Sequence, residues 1–432
     1  MNKIQPFALF LIFIAIAGCA SNSPELIIST NSDYAKIQNN NIDFENYLDN
    51  LKHLQLDAAS ISNLDNDEQE FMNAVRNIID GDLQEAETIL KELVDSAPDS
   101  TIKSSSIKII SNILFYQSRW KELNEWSGKY GSAEEQSIIT KAFLNANSEN
   151  YYFANETITL PLTKSSSGSP VIPVKINGVE MKFWLDTGAG MSVLSSDVAE
   201  MLNIKPVIEK QGEAVTATTI KVGYQPTVID SLQLGELLIT NHPAIIIDES
   251  NLKFKLLGLF TVMKIDGIIG WNAIKNFSLE LNYKEDTATI KKPVKNDNSG
   301  KNLFWLGYPF VLLKSEGGVP LCFGLDTGAR TSSITKNIFR KLKFENLKNI
   351  DKSVGGAGGF ENITAKEIPG LTLLSDSTKF TFKNIQTLPA KGAVFFLPDG
   401  ILGADIFNNS SIIIDYINGR FVYNNYSSEK ND

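Results

Sequence analysis

The chain has 432 residues, 43% of them apolar, which is enough to bury folded cores and rules out wholesale disorder. Its 40 Lys+Arg against 50 Asp+Glu leave a net charge of −10, which argues against a nucleic-acid partner. The two histidines, His53 and His242, and the two cysteines, Cys19 and Cys322, lie far apart in sequence, so zinc sites and cysteine- or serine-histidine catalysis lack raw material.

Residues 1–18 combine Lys3 with an apolar run from Phe7 to Ala17, the pattern of a signal peptide and too short for a permanent membrane span. The segment Ile16-Ala17-Gly18-Cys19 resembles a bacterial lipobox. That resemblance implies cleavage before Cys19 and a diacylglyceryl group on its thiol. With an N-terminal acyl chain added, this supplies the lipid signals that stable membrane anchoring needs. Ala20 at the next position fits outer-membrane sorting, with the body facing the periplasm. Residues 19–60, rich in Ser, Asn and Asp, are expected to form a flexible tether. Cys322 then has no disulfide partner and reads as a small buried hydrophobe.

Residues 61–150 carry apolar side chains at helical spacing, for example Phe71, Val75, Ile78, Ile79 and then Leu83, Ala86, Leu90, Leu93. The run Gly81-Asp82-Leu83-Gln84-Glu85-Ala86, followed by Leu90 and Pro98, looks like the second half of a tetratricopeptide-type hairpin. Asn77 stands where the first helix of such a unit usually has an aromatic, and the stretch Trp120-Lys121-Glu122-Leu123 matches only loosely. The expectation is an all-α helical-hairpin region able to hold a protein partner or to gate a cleft in the rest of the chain.

From Tyr151 the texture becomes short alternating apolar runs broken by Gly, Asn and Pro, which predicts strands. Two stretches, 151–292 and 298–427, repeat one plan. Leu185-Asp186-Thr187-Gly188-Ala189 returns as Leu325-Asp326-Thr327-Gly328-Ala329, a spacing of 326 − 186 = 140 residues. Asn177-Gly178 and Gly317-Gly318 precede the two aspartates at matching distances, both pairs suited to the positive φ of a tight hairpin turn. Ser195 and Thr335, each nine residues after its Asp, are candidate helix N-caps. Each stretch then closes on Asp266-Gly267-Ile268-Ile269-Gly270 or Asp399-Gly400-Ile401-Leu402-Gly403. A lone Asp-Thr-Gly is ordinary turn chemistry; two copies in the same extended context are a duplicated unit.

These motifs resemble the aspartic protease family, and the Ala after each Asp-Thr-Gly makes the copies look like retroviral-type lobes. The resemblance covers about residues 155–425 and implies a mainly β fold, a two-lobed β-barrel pseudodimer preceded by the helical region. It implies Asp186 and Asp326 as the catalytic dyad, Thr187 and Thr327 tying each loop to the opposite lobe, and Gly188, Gly328, Gly270 and Gly403 permitting close backbone approach. Two carboxylates about 3 Å apart share one proton, so one serves as acid and the other as base toward water in peptide hydrolysis. Val354-Gly355-Gly356-Ala357-Gly358-Gly359-Phe360 looks like a retroviral-type flap, with Phe360 as a large apolar tip. At the same offset in the first copy stands Ala214-Val215-Thr216-Ala217-Thr218, without glycines. Where retroviral lobes usually carry an acid, this chain has Gly190 and Arg330, which leaves subsite preference open. The expected partner is an extended peptide or protein substrate, and no nucleotide, metal or flavin cofactor is called for. A different reading is a non-catalytic peptide-binding scaffold that keeps the fold.

Overall fold

Apolar stripes at helical spacing, three of them opened by an acidic cap, produce the N-terminal layer. In a computed structural model of the chain, the described residues are 29–30, 44–54, 64–131, 134–216, 220–256, 260–296, 300–376, 378–389, 395–407 and 410–426. The signal segment, Cys19, Ala20 and much of the expected tether lie outside them. The helices are α1 (Phe44–Lys52), α2 (Asn66–Ile79), α3 (Leu83–Ser96), α4 (Ser100–Tyr116), α5 (Trp120–Tyr130) and α6 (Glu134–Phe143). Asp65 and Glu68 form a reciprocal capping box at α2, and Asp82 and Asp99 accept from the first free N–H groups of α3 and α4. Phe71, Val75 and Ile78 of α2 and Ala86, Leu90 and Leu93 of α3 are buried, as their spacing predicts.

The tether expectation does not hold for α1. Leu48 and Leu51, one turn apart, are buried, the Leu397 N–H donates to the Lys52 carbonyl at 2.7 Å, and Arg340 pairs with Asp49 at 2.8 Å. Ser29–Thr30 pairs with Leu342–Lys343 as well. Burial against the C-terminal half outweighs the polar, Asn-rich composition that suggested a spacer.

The remaining chain is mainly β and builds the same local pattern twice. Pro170–Ile176 and Val179–Leu185 form a hairpin that runs into Asp186, and Gly267–Ile269 inserts beside it, parallel to Val179–Leu185 and antiparallel to Ser192–Ser195. Pro309–Ser315 and Pro320–Leu325 run into Asp326, and Gly400–Leu402 inserts parallel to Pro320–Leu325 and antiparallel to Ser333–Ile334. The first copy belongs to a nine-stranded sheet and the second to an eight-stranded one. At the hairpin turns, Asn177 and Gly178 adopt φ of 48° and 85°. In the second copy Gly318 alone does so, at 81°, because the Ser315 hydroxyl accepts the Val319 N–H and sets a different turn.

A third sheet of five strands is made jointly. Its order is Arg420–Asn425, Ser410–Asp415, Ser278–Asn282, Thr287–Lys291 and Thr157–Pro161, so the hairpin ending each half lies edge to edge with the other's, Leu279 opposite Ile414. Asn302 extends the far edge: its Nδ2 donates to the Phe421 carbonyl at 2.9 Å and its Oδ1 accepts the Phe421 N–H at 2.8 Å. The helical layer meets both halves through Tyr116 at the end of α4. Its ring stacks on Trp305 at 3.9 Å and meets Tyr416 edge-on at 5.6 Å. The Lys275 ammonium lies over the same ring at 3.9 Å and donates to the Tyr116 carbonyl.

Candidate active site

Each aspartate sits where its hairpin strand ends and is fixed by the inserted strand: the Asp186 N–H donates to the Ile269 carbonyl at 3.0 Å and the Asp326 N–H to the Leu402 carbonyl at 2.9 Å. The apolar residues of the two closing motifs thus back the loops from the core, Ile269 and Leu402 with no exposed surface. Gly270 and Gly403 stand beneath the loops, where a Cβ would come within 2.5 Å of the Met191 backbone or 2.6 Å of the Thr331 backbone.

The two loops are cross-linked by four buried hydrogen bonds. The Thr187 hydroxyl donates to the Leu325 carbonyl at 2.8 Å and accepts the Thr327 N–H at 3.0 Å; the Thr327 hydroxyl donates to the Leu185 carbonyl at 2.7 Å and accepts the Thr187 N–H at 3.0 Å. Both threonines are fully buried. This reciprocal lock brings the carboxyl groups together. A Cβ on Gly188 would lie 2.5 Å from Asp326 Cγ, and one on Gly328 would lie 2.3 Å from Asp186 Oδ2, so only glycine fits at either position. Asp186 Oδ1 accepts the N–H groups of Gly188 and Ala189 at 2.8 and 3.2 Å, and Asp326 Oδ1 accepts that of Ala329 at 2.8 Å.

Both side chains keep partial contact with solvent, yet enough protein encloses them that lost hydration dominates their electrostatics. Burial, with the neighbouring Asp326 carboxylate, pushes the Asp186 carboxyl up to about 8. Burial also raises Asp326, but the Ala329 N–H donating to it and the Tyr308 hydroxyl in its surroundings favour its anion. Burial thus favours the protonated form at both carboxyl groups. Tyr308 was not found from sequence. It precedes Pro309 as Ser169 precedes Pro170, and its ring packs against Gly324, where a Cβ would meet it at 2.7 Å. Ser169 instead donates to the Gly328 carbonyl at 3.1 Å. A tyrosine before Pro309 is the sequence signal that could have pointed to it.

Beneath the loops the two halves differ again. Gly403 N–H donates to the Ser332 hydroxyl at 2.9 Å, and Ser332 donates to Asp405 Oδ1 at 2.6 Å. In the first half Gly270 N–H donates to Ser192 at 3.0 Å, and Ser192 donates to Asn272 Oδ1 at 3.1 Å, an orientation fixed by Asn272 Nδ2 on the Pro243 carbonyl at 2.8 Å. His242 Nε2 lies 2.7 Å from the same hydroxyl and Nδ1 contacts Glu149, so a serine, a histidine and a carboxylate do come together here despite their scarcity. The Ser192 hydrogen is committed to Asn272, so Nε2 must carry its own hydrogen and donate it. Ser192 is buried and accepts two bonds, which makes it a brace for the Asp186 loop rather than a nucleophile.

The glycine-rich segment forms the tip of a long hairpin, Lys348–Gly356 with Gly359–Ser375. Its apex is Ala357-Gly358. Phe360 lies cross-strand from Gly355, its ring against that glycine and 60% exposed, so it is not the apolar tip that the sequence suggested. The apex presses on the first half: the Gly358 N–H donates to the Asn251 carbonyl at 3.0 Å, and a Cβ on Gly358 would lie 2.8 Å from Ile220 Cγ2. The counterpart hairpin pairs Gly212–Val215 with Lys221–Tyr224; Ala217 and Thr218 lie outside the described residues. Ser195 starts the helix Ser196–Met201 without capping it, because its hydroxyl donates to the Asp266 carbonyl, whereas Thr335 accepts the Asn337 N–H. Cys322 is fully buried, and burial pushes its thiol well up. Beside it, Lys341 and Asp399 form a buried ion pair at 2.7 Å. Among the described residues no group of three or more His, Cys, Asp or Glu could hold a metal.

Residues 172–262 match the family of gag-polyprotein putative aspartyl proteases. The match spans the first hairpin, the Asp186 loop and the strands up to the closing motif, about a fifth of the chain. No curated protein matches the chain. The first β half thus carries an aspartyl-protease-type domain, and the second places an equivalent Asp-Thr-Gly loop against it.

Proposed function

We propose that the chain is an aspartic endopeptidase whose two β halves act as a pseudodimer, with Asp186 and Asp326 as one catalytic dyad. The observation that carries this reading is the reciprocal Thr187–Thr327 lock, which has no purpose in a turn but sets two carboxyl groups against each other. In this mechanism the Asp326 carboxylate takes a proton from water as the oxygen attacks the peptide carbonyl, while protonated Asp186 donates to the carbonyl oxygen. Collapse of the tetrahedral intermediate returns a proton to the leaving nitrogen. An extended peptide under the Val354–Phe360 hairpin would gain affinity from main-chain pairing, which tolerates many sequences. Cys19, if lipidated, would tether this activity to the membrane of a bacterial envelope, facing the periplasm, with the helical layer free to hold a protein partner.

Asp186→Asn and Asp326→Asn should each lower kcat for an unfolded protein substrate by at least about a thousandfold, because neither acid nor base can be supplied by the amide. Circular dichroism should remain that of the parent. If the single variants cleave as well as the parent, Asp186 and Asp326 are not the catalytic dyad; if the parent itself binds but does not cleave, the chain is a peptide-binding scaffold.

A further inference from the structure

The two halves are alike in backbone, yet two positions that are cationic in the second half are glycine in the first. Four residues after Asp326 stands Arg330, and twenty-six after it stands Lys352; the same offsets from Asp186 give Gly190 and Gly212. Arg330 is exposed and, among the described residues, forms no ion pair. It follows the Asp-Thr-Gly-Ala loop directly, one residue after Ala329, whose N–H donates to Asp326 Oδ1. Lys352 lies on the hairpin strand Lys348–Gly356, opposite Ile363, on the less exposed face that also carries Val354. The two cations are close enough to interact, and burial pushes the Lys352 ammonium down.

Two carboxylates are within reach of Lys352, and both are engaged elsewhere. Asp405 accepts from the N–H and hydroxyl of Ser332 at 2.8 and 2.6 Å, and Glu367 accepts from Gln386 at 3.0 Å. Burial also raises Asp405, which weakens its anion as a counterion. In the first half the counterparts offer nothing for a charge. Gly190 is exposed with no heavy atom within 4 Å of a Cβ, and a Cβ on Gly212 would strike the Tyr224 ring at 2.3 Å.

We infer that Arg330 and Lys352 form a cationic subsite that selects substrates with an acidic side chain on the side of the scissile bond held by the second half, while the first half imposes no charge. The inference rests on the endopeptidase reading for its context but not for its measurement. A peptide carboxylate there would complete an ion pair that the fold leaves open, at a site already partly desolvated by the hairpin above it.

The test uses the full chain and two sets of short peptides, one Glu moved stepwise along a neutral apolar host and the matching Gln set. Cleavage should favour Glu over Gln by about fivefold in kcat/KM at one position on one side of the cut, the size of a partly exposed ion pair. Arg330→Gln with Lys352→Met should erase that preference, the Glu and Gln peptides then cleaving within twofold of each other, and Arg330→Glu should favour Lys at the same position. Equilibrium binding of both sets to the Asp186→Asn protein reads the preference without turnover. Acid preference in binding with no cleavage by the parent would retain the subsite and remove the peptidase. Cleavage or binding with no Glu preference, or one that survives the double variant, would overturn the subsite and leave the peptidase standing.

Discussion

Asp186 and Asp326 occupy matching loops, yet their surroundings split their duties. Only Asp326 has a tyrosine hydroxyl favouring its anion; burial raises both carboxyl groups and pushes Asp186 up to about 8. Turnover should therefore fall as pH rises through about 8, where Asp186 loses its proton, and fall again on the acid side as Asp326 gains one. Tyr308→Phe removes a donor that favours the Asp326 anion, so the acid limb of the kcat/KM profile should move upward in pH while the basic limb moves less. A profile superimposable on the parent's would show that Tyr308 only packs. The lock beneath is energetic as well as geometric. Thr187→Val leaves the Leu325 carbonyl and the Thr327 N–H buried without partners, at about 1–3 kcal/mol each, and denaturant unfolding should register a loss of about 2–6 kcal/mol. The aspartates, threonines and glycines were legible in the sequence because they stand in the repeated Asp-Thr-Gly and closing motifs that carry the resemblance. Tyr308, His242 and Glu149 were not: their contacts join residues far apart in sequence, and no spacing encodes them.

At the scale of elements, the strands and the five helices between Asn66 and Phe143 followed from periodicity, because each buries one face and nothing else decides its conformation. The helix α1 and the hairpin apex did not. The first is held by a surface of the second half that the local sequence cannot announce. The second turns at Ala357-Gly358 because only a two-residue reversal keeps Gly355 opposite Phe360, whatever the neighbouring glycines suggest. Leu51→Ala should cost about 2–4 kcal/mol locally. Protease nicking within residues 44–54 should accelerate while the β halves retain their dichroism and peptide turnover; unchanged resistance would mean that α1 is held by its polar contacts alone.

For the molecule as a whole, the helical layer meets the β halves at several places, Phe71 against Phe395 and α6 in one core with Val171 and Trp184 among them, and Tyr116 is the aromatic junction that touches both halves. Tyr116, 7% exposed, touches Trp305 and Tyr416 and covers Lys275, whose ammonium burial pushes down to about 8. Tyr116→Ala should remove about 3–5 kcal/mol of packing and leave the Lys275 side chain without its aromatic cover. Calorimetry of the parent should give one cooperative transition, and the variant should give two, the helices melting below the β halves. A single transition in the variant would place the junction elsewhere. The domain plan read from the chain anticipated a helical part and two β stretches, but not that the halves exchange their closing hairpins, since strand partners chosen across a long separation leave no trace in either strand's own pattern.

That exchange makes each half structurally incomplete. Ser278–Lys291 and Ser410–Asn425 each offer an unpaired edge until the other arrives, so a chain severed in the linker after Lys291 would give two fragments, neither closed, that could satisfy those edges only by reassociating. The covalent connection then serves mainly to fix the stoichiometry at one of each, which is what allows two loops of common design to acquire different surroundings.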